Sequence, residues 1–317
     1  VTLKGLHDGQ LLYDLEVVCH SRAIMVRGYL QEKKSILQVG GKDARDFLHR
    51  LISCNVRTLK AGQVIPGTLL KASGKLIAYF HIYGLDESTF ALVTPQSCID
   101  ELYATLDRLV FSEKLAFTRD DQTSLLMVVD SSPETLFNLA DQQHQEQELG
   151  RGTVRVGALG HHRFQVWVKT EDLPEVESTL QQAGIQEMKS VEYATFRIQQ
   201  GLPEWEQELD PTVIPVGLRL DQALDPDKGC YTGQEIVSKM SFVGHPPHVL
   251  LGLKVQGTPI VGSKALKGET IVGTITSAAP GLALLCARWE RTALGEQVIV
   301  ESEGQTLQAE VVALPMG

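Results

Sequence analysis

The sequence lacks the features that mark membrane, secreted or metal-scaffold proteins. No uncharged apolar run approaches the ~20 residues needed to span a bilayer. The longest candidate, Ser277 to Ala287, is interrupted by Pro280 and Gly281. The segment Val1 to Gln10 carries Lys4, His7 and Asp8 and has no apolar core of a secretory leader, so the expected location is the cytoplasm. Cysteine is scarce and unpatterned. The 5 residues Cys19, Cys54, Cys98, Cys230 and Cys286 form no C-x-x-C pair and are odd in number. That spacing builds neither a disulfide framework nor a zinc or iron–sulfur ligand set, so free thiols are expected. Basic charge is also in deficit. Lys plus Arg number 29 against 39 Asp plus Glu, a net −10, which disfavours broad nucleic-acid binding but leaves room for a local basic groove. Repeats and low-complexity tracts are absent.

What is present is the composition of a globular protein, 43% hydrophobic and 21% charged. Its 317 residues, at roughly 100–200 per domain, predict two or three domains. Ala23 to Tyr29 and Leu76 to Tyr83 read as strands, rich in apolar, β-branched and aromatic residues. Between them Asp43 to Ile52 puts Phe47, Leu48, Leu51 and Ile52 on one helical face, with Asp43 as N-cap. A second helix is predicted over Ser97 to Val110, with Ile99, Leu102, Leu106 and Leu109 as its stripe.

In the middle of the chain, Leu125 to Val129 reads as a strand, and Ser132-Pro133 opens a helix that runs to Leu149 and stops at Gly150. Strands at Thr153 to Ala158 and Arg163 to Val168 follow. A helix from Leu173 to Ala183 and a short strand at Ile185 to Met188 complete a β-α-β-β-α-β order, which predicts a ferredoxin-like unit. Ser190 to Gly201 reads as a helix, and the proline-bearing stretch Leu202 to Gly229 as a long loop, ordered or disordered, of the kind that tends to carry function. Beyond Pro246-Pro247, short strands at Val249 to Val255, Glu269 to Thr276, Leu282 to Arg288, Gln297 to Val300 and Gln308 to Leu314 predict a small β-barrel or sandwich.

The densest chemistry lies in Asp227-Lys228-Gly229-Cys230-Tyr231-Thr232-Gly233-Gln234-Glu235, followed by a helical Gln234 to Met240. A thiol on a turn that opens a helix, with Lys228 beside it, is placed to favour the thiolate. The alternative is a small cysteine buried in a turn. The two readings weigh about evenly on the residues alone.

This segment resembles the K-G-C-Y-x-G-Q-E signature of the YgfZ-type folate-binding proteins of iron–sulfur cluster assembly, relatives of the glycine-cleavage T-protein aminomethyltransferase. The resemblance extends in order along most of the chain. Gly41 to Leu48 is similar to the family's G-x-D-A-x-x-F-L, and Leu59 with Ala61-Gly62-Gln63 to its L-x-x-G-Q. Arg197 to Pro203 is similar to R-x-x-x-G-x-P, and Ile214-Pro215 matches an I-P ahead of the cysteine loop. The resemblance implies an α+β, three-domain ring of the T-protein type: a folate-binding domain (1–120 and 190–245), a ferredoxin-like domain (121–189) and a C-terminal β-barrel (246–317). It further implies tetrahydrofolate or a related folate in the central cavity and a monomer. The partners it implies are [4Fe–4S] client proteins, tRNA-modifying radical enzymes among them, with no direct nucleic-acid or membrane contact. Cys230 is then the functional thiol with Lys228 beside it. Gln199, Arg197, Tyr193, Tyr231, Gln234, Glu235 and Lys239 become the folate-side residues.

The departures from the family pattern are chemical. Where the aminomethyltransferase has an acidic pair, one member catalytic, this chain has Ala78 and Tyr79, which weighs against methylene transfer. Ser53-Cys54-Asn55 replaces the usual Thr-Asn-Asp. Gln199 stands where the T-protein has a glutamate that grips the pterin, and an amide in place of a carboxylate weakens that grip by roughly 1–2 kcal/mol.

Other residues weigh less. His245-Pro246-Pro247-His248 has no third ligand for a metal and reads as a linker, with His248 or Lys239 as possible basic contacts to a folate tail or a client. His161-His162 reads as a solvated turn and Cys19-His20 as core. Tyr193 and Arg197, one turn apart, either line the folate cavity or take part in a structural ion pair. Trp205 is open between a surface aromatic and a partner contact. Three functions therefore stand: a folate-binding accessory factor, a folate-dependent aminomethyl or C1 transferase, and a thiol enzyme pairing Cys230 with a histidine such as His245.

Overall fold

The structure, a computed structural model, describes residues 26–132 and 135–316. The chain starts with β1 (Arg27–Gln31), which pairs forward into a second sheet. It then builds the first sheet from β2 (Lys34–Gly40), α1 (Ala44–Leu51), β3 (Val64–Leu70), β4 (Leu76–Gly84), β5 (Thr89–Pro95), α2 (Ile99–Asp107) and β6 (Ala116–Asp120), in the strand order β3-β4-β5-β2-β6. The two-residue alternation of β4 decides what each face does. Ala78, Phe80 and Ile82 pack under Phe47, Leu48 and Ile52 of the α1 segment and Leu102 and Leu106 of α2. Tyr79, His81 and Tyr83 turn to the opposite face.

The second sheet comes from β7 (Thr123–Asp130), β8 (His144–Leu149), β9 (Gly152–Ala158), β10 (Arg163–Lys169), α3 (Leu173–Gln182) and β11 (Gln186–Glu187), with β1 inserted in the order β11-β1-β7-β10-β9-β8. Along β10, Phe164, Val166 and Val168 bury against Val176 and Leu180 of α3, which leaves Arg163, Gln165 and Trp167 facing the first sheet. The two sheets meet through Tyr83 and Trp167, ring centroids 4.6 Å apart, beside Ile36, Val93 and Leu125. The Tyr83 hydroxyl donates to Gln165 Oε1 at 2.9 Å, and Gln165 Nε2 donates on to Glu32 Oε2 at 2.5 Å.

One expectation fails in this unit. Among the described residues no helix joins Asp130 to Gly150; that stretch ends instead in strand β8, an antiparallel partner of β9. The run Gln142 to Glu148 is rich in good helix formers but has no apolar stripe on which a helix could dock, so sheet pairing wins over propensity. Gln142 has φ 62, outside any helix, and the apolar burial is supplied by Phe137, whose ring lies 5.2 Å from Phe164. The strand expected from Ala23 is seen from Arg27; residues before 26, with Cys19-His20, lie outside the described residues.

α4 (Ser190–Gln200) then returns to the first unit, followed by the loop to α5 (Gln234–Ser238), whose C-terminal end continues in a π-helical turn, Lys239–Val243. The chain closes with β12 (His248–Val255), β13 (Lys264–Lys267), β14 (Thr270–Ala279), β15 (Leu282–Arg288), β16 (Gln297–Ser302) and β17 (Gln305–Val312). They form a closed barrel ordered β12-β15-β14-β13-β16-β17 around Leu253, Ile275, Leu285, Val300 and Val311. Within the barrel the sequence pattern misses only β13, whose four residues are too short to show alternation; in the sheets it also leaves out β2, β3, β5, β6 and β8. The α+β architecture with its C-terminal barrel is as expected.

The contact between sheets generates two predictions. A Cβ at Gly157 of β9 would run into the Tyr83 ring and hydroxyl, so Gly157→Ala should displace Tyr83 and cost about 1–3 kcal/mol in urea unfolding, with the Tyr83→Phe background absorbing little of it. His144 bridges the same seam, its Nε2 donating to Gly84 O at 2.9 Å, and burial pulls its imidazole down to about 4. The unfolded chain therefore binds the proton first, and stability falls as pH drops below ~6.5. Unfolding titrations at about pH 7.5 and pH 5 should differ by about 2 kcal/mol through this residue, and His144→Gln should remove that part of the difference.

Candidate functional site

Beyond the contact with Trp167, the same face of β4 carries a group of polar side chains. Tyr79 and His81 lie edge to face, ring centroids 5.6 Å apart, on the strand that carries Tyr83 to the sheet contact. Lys34, on β2, binds Glu32 at 2.5 Å and faces the same space. Arg163 enters from β10 and spends its guanidinium on two long bonds, 3.4 Å to Gly160 O and 3.3 Å to Leu159 O. Tyr193 of α4 closes the group. Burial, then Lys34 and Arg163, holds the His81 imidazole well below its ordinary pKa, so it is neutral at physiological pH. Burial raises the phenols of Tyr79 and Tyr193. For Lys34, burial opposes the charge, but Glu32 and Tyr193 outweigh it and the ammonium is held above its ordinary value.

Among the described residues, neither tyrosine hydroxyl nor the His81 ring makes a hydrogen bond, and none of these atoms is sealed in the protein. Two phenols and a neutral imidazole thus present free polar atoms beside two cations and flat aromatic surface. That is a donor set for a planar, hydrogen-bonding ligand with an anionic end. Ala78 is buried in the helix-facing core, so of the two positions that carry an acidic pair in the T-protein only Tyr79 belongs to this group.

The other folate-side residues do not gather there. Arg197 is a structural ion-pair residue. Its Nη1 donates to Glu208 Oε2 and to Leu202 O, both at 2.8 Å, its Nη2 donates to the Ser277 hydroxyl, and Glu204 lies 3.0 Å from Nε. Ser277, on β14, in turn donates to Glu208 Oε1 at 2.6 Å, so this triad fastens α4 and the following loop to the barrel. Tyr231 is a core residue, packed among Leu70, Leu76, Ile198 and Val237, and burial pushes its hydroxyl up to about 12. Gln234 is half-buried, and Glu235 and Lys239 are exposed on α5 and its π-turn. Gln199 is partly exposed; its backbone carbonyl accepts from Met316 N at 2.7 Å, and its side chain makes no hydrogen bond among the described residues.

The cysteine loop is braced from below. The Lys228 ammonium is turned inward and donates to the carbonyls of His49 and Ile52, the last turn of α1, where a cation complements the helix dipole. His49 Nε2 donates back to Lys228 O at 3.0 Å, which fixes the tautomer and leaves Nδ1 as an acceptor without a partner among the described residues. Asp225 N bonds Ser53 O at 3.0 Å, and Ser53 Oγ donates to Ala223 O at 2.5 Å. Burial draws the Lys228 ammonium down to about 8, with the Tyr231 ring 5.0 Å away. Lys228 is therefore the strut of the loop rather than the thiol's counter-ion. Gly229 and Gly233, at φ 92 and 83, supply the left-handed turns on either side, and a Cβ at Gly233 would lie 2.7 Å from Lys71 O.

On this braced loop Cys230 is exposed and makes no hydrogen bond among the described residues. Cys54 and Cys98 are buried and Cys286 half-buried, and burial pushes these three thiols up to about 12, 12 and 11. Cys230 precedes α5, which is five residues long and begins at Gln234. No group of three or more His, Cys, Asp or Glu among the described residues could hold a metal ion. No helix among them is long and apolar enough to cross a membrane. The residues that sequence reasoning missed are Glu32, Lys34, His81 and Arg163. The signal available was the alternation of Tyr79, His81 and Tyr83 against an apolar opposite face.

Residues 32–228 match the GCVT N-terminal domain. The chain is 27% identical over 307 residues to an aminomethyltransferase of Halalkalibacterium halodurans, covering 88% of this chain and 83% of that protein. It is 25% identical over 343 residues to an aminomethyltransferase of Corynebacterium aurimucosum, covering 98% and 92%. A putative chloroplastic transferase of Arabidopsis thaliana is 25% identical over 76% of this chain and 59% of its own length. Among solved structures, the glycine cleavage system aminomethyltransferase T from Bartonella henselae superposes with a TM-score of 0.80 over 91% of this chain and 86% of that one, at 18% identity. The fold is accordingly that of the T-protein, and the chain belongs to the GCVT N-terminal domain family.

Proposed function

We propose that this protein binds tetrahydrofolate between β4 and α4 and acts as an accessory factor in the assembly, maintenance or repair of [4Fe–4S] clusters in client enzymes, tRNA-modifying radical enzymes among them. Cys230 is its working thiol. The observation that carries this reading is a separation. The thiol stands exposed on a loop anchored to α1, while the β4 site presents phenols, an imidazole and cations with no carboxylate at Ala78 or Tyr79. Tyr79, Tyr193 and neutral His81 suit the flat, hydrogen-bonding pterin, and Lys34 and Arg163 suit the carboxylates of the glutamyl tail. The cluster is cargo; a single thiol supplies at most one ligand to it, so the client provides the rest. The protein works in this reading as a cytoplasmic monomer.

Aminomethyl transfer is the second reading, favoured by the aminomethyltransferases similar over nearly the whole chain. It needs a carboxylate at the reacting centre. Glu32 is bound by Lys34 and Gln165, and Glu204 lies against Arg197, so the carboxylates nearest the site are already paired.

Anaerobic calorimetry with tetrahydrofolate should give binding in the micromolar range. Lys34→Ala and Tyr193→Ala should weaken it, and Gln199→Glu, away from the β4 site, should leave it unchanged. Cys230→Ser should bind folate normally and fail to support client cluster enzymes in cells. Full client activity with Cys230→Ser would overturn the accessory role. Turnover of an aminomethyl-lipoyl carrier with tetrahydrofolate would hand the function to the second reading.

A further inference from the structure

A cavity lies away from β4, where the segment after α5 meets the end of β15. It has a volume of about 290 Å³ and is walled by His245, Pro246 and Pro247 on one side and Arg288 to Arg291 on the other. The two walls are held in register by the barrel, since His248 pairs with Arg288 across β12 and β15. The His245 ring stacks on Trp289, centroids 5.2 Å apart and planes 16° from parallel. Beside it, the π-helical turn Lys239–Val243 projects Phe242 and Val243 into solvent, 67% and 83% exposed, and π-turns are frequent at functional sites. Two large apolar side chains at that exposure cost solubility unless something covers them.

The charge around them runs against the rest of the chain. The protein carries a net −10, yet Lys239, Arg288 and Arg291 are exposed here, and none forms an ion pair among the described residues. Arg291 makes one long bond, 3.4 Å to Ile271 O, and Glu290 is the carboxylate in the cavity wall. Unpaired cations flanking an apolar and aromatic floor select a ligand with carboxylates on either side of an apolar side chain. A nucleic acid would meet the repulsion of the whole chain and of Glu290, and would leave Phe242 and Val243 without an apolar counterpart. A second copy placed symmetrically would set these cations against themselves.

We propose that the face formed by the π-turn, His245 to Pro247 and Arg288 to Arg291 docks an acidic, leucine-bearing segment of a partner polypeptide. It works independently of folate at the β4 site.

The test uses a fluorescein-labelled peptide of repeated Asp-Glu-Leu-Glu units, followed by anisotropy and by the fluorescence of Trp289. Saturable binding is expected at about 50 mM salt and should be largely lost at about 500 mM. The Arg288→Glu, Arg291→Glu double variant should weaken it about tenfold or more, and Phe242→Ser should weaken it at unchanged salt dependence. Both variants should keep the parent's melting temperature and tetrahydrofolate affinity, which separates this proposal from the folate reading. Absence of saturable binding, or binding indifferent to the double variant, would overturn it. So would preferred binding of oligothymidylate, displacement of the peptide by a folate polyglutamate, or self-association through this face in sedimentation experiments.

Discussion

The candidate ligand site depends on two sheets meeting face to face along one line of alternating residues. Tyr83 and Trp167 make the dry part of that contact, and Gln165 extends it through Glu32 to Lys34. Where the line continues along β4 to His81 and Tyr79, the apolar contact gives way to polar side chains held beside Lys34 and Arg163. The candidate site is thus the polar end of a packing interface. Its groups are held by the same strands that bury the core, so they are positioned without loops of their own. The close fit of Tyr83 against Gly157 shows how little freedom that register leaves.

A separate device positions the thiol. Cys230 lies on a loop with little regular structure, yet the loop is tied to α1 by the Lys228 ammonium, by His49 and by the Ser53 backbone and hydroxyl. A buried lysine is costly unless its hydrogen bonds are met, and here the free carbonyls of a helix C-terminus meet them. The loop therefore holds an exposed sulfur rigidly instead of burying it. Arg197, Glu208 and Ser277 do the comparable work of joining α4 to the barrel. A basic residue beside a reactive one and a basic residue one turn from an aromatic thus both prove to be fasteners.

Much of this was legible in the sequence. The helical stripes of α1 and α2, the glycine stop after α4 and the short strands of the barrel follow from periodicity, because burial on one face imposes it. The broader kinship with the T-protein could be read from the cysteine loop and the ordered segments around it. The stretch before Gly150 could not, since a polar Gln- and Glu-rich edge strand has the composition of a helix and no stripe to contradict it. The roles of Lys228, Arg197 and Tyr231 were hidden for a different reason. A motif shows which residues are adjacent in sequence, whereas burial and partners depend on α1, the barrel and the core closing around them. Lys34, His81 and Arg163 were missed because each is ordinary in its own segment, and only the sheet contact brings them together.

The most direct test of the account is a crystal structure of the protein grown with tetrahydrofolate under anaerobic conditions. The pterin is predicted to lie between β4 and α4, in contact with Tyr79, His81 and Tyr193, with Cys230 outside its contact shell. A folate bound elsewhere, against the His245 and Trp289 stack or on the Cys230 sulfur itself, would contradict the separation of ligand and thiol on which the account rests.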